Sequence, residues 1–202
     1  MNKIIVLMWL SMFIQCQSQK IDKYMIPIVD NKYEKFDIEN FQKKSVRGYL
    51  KVREGSNTYI QDFQSPGYRE IIYNDNLLYK VTKFFYDSGN IEKKGCLFNE
   101  GSVVGIWYHF DESGKLLKEE NMDEGYDFKP ADVIAYCEKN KIDLPKGYHD
   151  SGYQTRVLKQ DFEGKKVWRI SHQIAGDKIE EIILDGKTGK ELQKKTVPFY
   201  NP

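Results

Sequence analysis

Phe85-Tyr86-Asp87-Ser88-Gly89-Asn90-Ile91-Glu92 decides the fold, because its pattern returns in His109-Phe110-Asp111-Glu112-Ser113-Gly114-Lys115-Leu116 with the aligned glycines 25 residues apart. Each copy has an aromatic end, a polar turn with a glycine, and an apolar return. Glycine and asparagine supply the positive φ angles that tight hairpins need, so each copy reads as the tip of a β-hairpin. Between the copies lie a further turn, Asn99-Glu100-Gly101, and the run Gly105-Ile106-Trp107-Tyr108. Side chains alternate along a strand with a period of two. Ile106, Tyr108 and Phe110 therefore share one face, and Gly105, Trp107 and His109 the other. Both faces carry rings: either the strand is covered on both sides or one face is a binding surface.

Outward from this stretch, turn signals every 8–12 residues or so predict an antiparallel meander, with strands at 46–52, 58–63, 68–73, 78–86, 91–98, 105–110 and 116–121. Before it, a lead-in over 19–45 contains Pro27, which no helix interior accepts, and Asp37, which caps a short helix to about Lys44 with Ile38 and Phe41 on one face. After it the composition changes at Lys129-Pro130. Pro130 suits the first position of a helix, Val133, Ile134, Cys137 and Ile142 form its apolar stripe, and strands follow at 155–162, 166–174, 179–184 and 191–197. The expected class is α+β, predominantly antiparallel β. A hairpin meander over 46–128 is followed by a small helix-on-antiparallel-sheet module over 129–202.

The order of aromatic pair, glycine turn, apolar return, second glycine turn and Gly-x-Trp over 84–126 resembles the MORN-type repeat, in the variant of bacterial antitoxin-like proteins. That resemblance implies a hairpin per repeat and a binding, scaffolding or bracing role. The helix followed by Val167-Trp168-Arg169-Ile170 and Asp185-Gly186-Lys187-Thr188-Gly189 is similar to the PepSY-type module of exported bacterial proteins, over 130–197. This second resemblance implies a small domain that inhibits or regulates a partner, often a peptidase.

Composition narrows the function. Tyr 14 and Phe 11 stand against three alanines, which favours strands over helices. A formal charge of +1 makes no case for nucleic acid. Residues 1–18 read as a secretory signal peptide: Lys3 precedes an apolar run from Ile4 to Ile14, too short to span a bilayer. Two cuts compete. Phe13-Ile14-Gln15-Cys16 resembles a lipoprotein box with Cys16 lipidated, although Gln15 departs from its pattern, while Cys16-Gln17-Ser18 suits a signal peptidase. Either cut removes Lys3 and leaves no net charge, so the exported chain recognises by shape, aromatic contact or local charge. The expected location is the periplasm or cell envelope, with membrane attachment only through lipid on Cys16. In such a compartment Cys96 and Cys137 either pair as a disulfide or stay two buried thiols.

No catalytic pattern emerges. Gly186-Lys187-Thr188 lacks the first glycine of a phosphate loop. His109, His149 and His172 have no zinc spacing, and His149-Asp150, with Tyr153, is weak support for a hydrolase. Glu119-Glu120 and Met122-Asp123-Glu124 do not match a calcium loop. Glu180-Glu181 reads as charge guarding an edge strand. No metal or cofactor is expected. The reading is a non-catalytic binding protein, in its most concrete form an immunity protein that neutralises a toxin, with a structural envelope role as the alternative. Trp107, Tyr108, His109 and Trp168 are the candidates for contact with a protein or peptide partner.

Overall fold

The computed structural model describes residues 25–199; the signal-like segment and Cys16 lie outside the described residues. Asp37 caps helix α1 (Ile38–Lys44), its carboxylate accepting from Asn40 N at 3.0 Å, and α1 buries Phe41. Seven strands follow in a meander: β1 (Tyr49–Glu54), β2 (Asn57–Phe63), β3 (Tyr68–Asn74), β4 (Tyr79–Phe85), β5 (Ile91–Phe98), β6 (Val103–Phe110) and β7 (Leu116–Asn121). They pair antiparallel in chain order. β1 starts later than expected, because Arg47 and Gly48 take positive φ and turn the chain between Val46 and Tyr49.

The sequence repeat is a repeat of geometry. Gly89 and Gly114 take φ of 83° and 86°. Tyr86 N donates to Asn90 O and Gly89 N to Tyr86 O, both at 2.9 Å; 25 residues on, Asp111 N donates to Lys115 O and Gly114 N to Asp111 O. A register shift precedes each turn, at Phe84/Phe85 and at His109/Phe110. Phe85, Ile91 and Phe110 are buried, and Leu116 packs against the same cluster.

Beyond the meander, α2 (Pro130–Lys139) begins at proline as expected and buries Val133, Ile134 and Cys137. A second antiparallel sheet comprises β8 (Arg156–Phe162), β9 (Lys165–Ala175), β10 (Lys178–Asp185) and β11 (Glu191–Pro198), in the order β11-β10-β9-β8. This corrects the reading of Glu180-Glu181. β10 is a central strand, and each carboxylate has partners on its neighbours: Lys194 and the His172 ring for Glu180, Arg169 and Lys195 for Glu181. Glu181 can be buried there because a paired carboxylate escapes most of the desolvation cost of a lone one.

The change of sheet near Pro130 is not a break in the core. Tyr79, Cys96, Phe98 and Val104 of the meander share one buried cluster with Val133, Ile134, Trp168 and Ile182 of the second part. Backbone bonds between Ser102, Glu100 and Val157 join the two sheets. Lys159, largely buried, donates to Val103 O at 2.9 Å, Met122 O at 2.8 Å and Asp123 Oδ1 at 2.5 Å.

The lead-in forms a strap across the inner face of the meander. Ile26 and Val29 pack on the shared core, Tyr33 lies against Gly114, and Phe36 N donates to Gly89 O at 2.8 Å. Its anchor is Lys94 on β5, whose side chain is 1% exposed. An ammonium has three donors, and all three are used: on Glu34 Oε1 at 2.6 Å, Lys32 O at 2.8 Å and Asp30 Oδ1 at 3.0 Å. Lys83 also holds Glu34. The hydrogen bond from Lys94 keeps the Asp30 carboxyl below its ordinary value of 3.8. Burial pushes Glu34 up, but Lys83 and Lys94 outweigh it and keep that carboxyl below 4.5. Because both folded values are depressed, the stabilisation is present above the ordinary carboxylate range and is lost as pH falls through the folded values.

Lys94→Ala is expected to cost about 3 kcal/mol in urea unfolding. It should also flatten the fall in stability of the native chain below about pH 4, where the strap carboxylates protonate. Equal acid sensitivity in the two proteins would contradict the anchor.

Candidate partner-binding face

Alternation along β3 to β7 sends one set of side chains to the strap and the other to the outer face of the sheet. Phe84 pairs with Lys93, Thr82 with Gly95, and Trp107 with Glu120. Because Gly95 has no side chain, the indole of Trp107 lies flat over its backbone: a Cβ there would sit 2.3 Å from Trp107 Nε1. That nitrogen donates to Cys96 O at 3.2 Å, so the ring is pinned with its polar atom satisfied. Phe84 is tilted beside it at 6.4 Å, and Lys93 Nζ stands 4.8 Å over the Phe84 ring. Ile71, Leu97, Val103 and Met122 extend this apolar floor, which lines an open cavity of about 410 Å³.

The rim is charged. Arg69 makes two bonds to Asp62, at 3.1 and 2.5 Å. Lys80 donates to Asn99 O at 2.7 Å and Tyr73 Oη at 3.3 Å, and burial pulls its ammonium below its ordinary range. His109 Nε2 lies 2.9 Å from Glu120 Oε2. That contact lacks hydrogen-bond geometry, so the buried Nε2 has no hydrogen-bond partner among the described residues. Lys118 hydrogen-bonds Glu120 and is the main reason this exposed carboxyl sits below its ordinary value.

The four candidate contact residues separate. Trp107 and His109 are on this face, Trp107 as a 6% exposed floor rather than a protruding ring. Tyr108 faces the opposite way and packs on the cluster beneath the strap. Trp168 is 0% exposed, with its Nε1 bonded to Phe128 O at 2.9 Å. Its ring is core and presents nothing to a partner, because it sits at the centre of the cluster the two sheets share.

Among the described residues Cys96 and Cys137 are free, buried thiols, not a disulfide. Cys96 Sγ donates to Pro27 O under the strap, Cys137 belongs to α2, and burial pushes each thiol up to about 12. Asp150 pairs with Lys51 at 2.7 Å instead of orienting His149, and Tyr153 Oη donates to Ser171 O. Asp185 Oδ1 accepts from the amides of Lys187 and Thr188, so the amides a phosphate would need are taken. Among the described residues no group of three or more His, Cys, Asp or Glu is placed to hold a metal, and no helix is long and apolar enough to cross a membrane. No protein-family model, curated protein or solved structure matches the chain.

Gly95→Ala is expected to displace the indole, raise and red-shift tryptophan emission, and cost about 2 kcal/mol through overpacking against a fixed ring. A variant with native emission and stability would contradict the platform. Cys96 and Cys137 should resist a thiol reagent at about pH 8 in the folded chain and react on unfolding, read by mass spectrometry.

Proposed function

We propose that this chain is a non-catalytic exported protein that binds a protein partner on the outer face of its seven-stranded sheet, in its most concrete form an immunity protein that neutralises a toxin. The observation that carries the reading is the contrast between the sheet's two faces. The inner face is covered over most of its extent by the strap, α1, α2 and the second sheet, with Ile106 left exposed. The outer face is covered at β1–β3, where Tyr148 packs on Tyr73, and leaves Ile71, Phe84, Leu97 and Trp107 around an open cavity. Apolar side chains lining an open cavity on a rigid sheet, rimmed by charge, have the anatomy of a protein-binding patch. The MORN-like repeat supports the same role, since such repeats mostly bind or brace. The scattered histidines and the occupied partners of Asp150 and Tyr153 give a hydrolase no assembled site.

Photo-crosslinking in cells tests the reading. A crosslinker at position 97 should capture one discrete envelope protein, and one at Glu163, on a turn of the second sheet, should not. Phe84→Ala should weaken capture about tenfold or more, the size of an interface hot spot. Equal capture at both positions, or none at position 97, would sink the proposal.

A further inference from the structure

A second open cavity, of about 860 Å³, lies on the outer face of the four-stranded sheet and owes nothing to the meander. Its volume falls in the range of roughly 300–1,000 Å³ typical of small-molecule sites. Register places Arg156 opposite Ser171 and Leu158 opposite Arg169, so the two arginines are diagonal neighbours on one face. Tyr153 and Phe199 wall the cavity, with ring centroids 5.1 Å apart.

The electrostatics are unbalanced. Glu181, 8% exposed, is the carboxylate among the residues that line the cavity, and it is shared between Arg169 and Lys195. Arg169 Nε is shielded and has no hydrogen-bond partner among the described residues. Arg156 has no carboxylate partner among the described residues; its guanidinium lies 5.7 Å from the Tyr153 ring centroid. Two arginines against one carboxylate line the cavity, and Lys195 from beside it shares that carboxylate, so the cavity is positive with aromatic walls. A guanidinium over a ring keeps its fork of donors free for a planar anion.

We propose that this face binds a carboxylate carried on an aromatic or aliphatic body. Arg156 takes the carboxylate beside Arg169, and Tyr153, Phe199 and Leu158 take the body. The site is independent of the protein-binding face, and loss of either leaves the other standing.

The test is titration of the ¹⁵N-labelled full chain with N-acetyl-phenylalanine, its amide, and a short peptide ending in phenylalanine with a free carboxylate. The acid should give saturable shifts at Arg156, Ser171 and the Arg169 Nε–H. The amide should bind about tenfold more weakly, as loss of a charge-assisted pair implies. Arg156→Gln, at an exposed position that leaves Glu181 paired, should weaken the acid to the same extent. Tighter binding of the peptide than of the acid assigns the site to a protein C-terminus, and equal binding assigns it to a small acid. Equal affinity for acid and amide, shifts confined to residues around Trp107, no saturation at millimolar acid, or an unchanged Arg156→Gln would each overturn the proposal.

Discussion

A buried ammonium must spend all three of its protons on acceptors, and the meander depends on how Lys94 does so. A lone charge at that depth costs several kcal/mol. Two carboxylates and a carbonyl from the lead-in make it tolerable. The strap is therefore not a loose end laid on the sheet. It supplies the acceptors without which β5 could not carry a lysine inward, and it covers the apolar side chains beside that lysine. Lys159 repeats the device between the sheets, taking two carbonyls and Asp123 from the β6–β7 side. Two satisfied lysines thus tie three parts of the chain into one body.

The closed inner face gives the outer face its meaning. With the strap anchored, the meander has one side covered over most of its extent, and the open part of the other, from β3 to β7, is organised around a glycine. Gly95 lets the indole of Trp107 lie on backbone and form a flat floor, and the rim charges are mostly held by partners on the sheet itself. Such a surface is preorganised, so little side-chain ordering remains to oppose association.

Much of this was legible in the sequence. Turn glycines and alternation located the strands to within a few residues, because hairpin chemistry is local. Asp37 and Pro130 marked the two helix starts for the same reason. What stayed hidden depends on which face meets which. Trp168 and Trp107 look alike in sequence, yet one is core and the other a floor, and only the docking of the second sheet decides it. Glu180-Glu181 suggested an edge because charge on a strand is usually solvated; the cations that neutralise the pair come from β9 and β11, beyond any local pattern. The break at Pro130 is a real change of sheet, but the shared core is long-range. One signal was present: Lys93-Lys94 sits mid-strand between Ile91 and Cys96, and alternation must turn one of the two lysines inward.

That adjacent pair offers the most direct measurement. Lys93 and Lys94 are neighbours in the chain on opposite faces of the sheet, with side chains 35% and 1% exposed. Residue-resolved acetylation of the native chain should modify Lys93 readily and leave Lys94 untouched until the strap is released by unfolding. Comparable rates at the two lysines would mean that the inner face is open, and would contradict a sheet closed on one side and presented on the other.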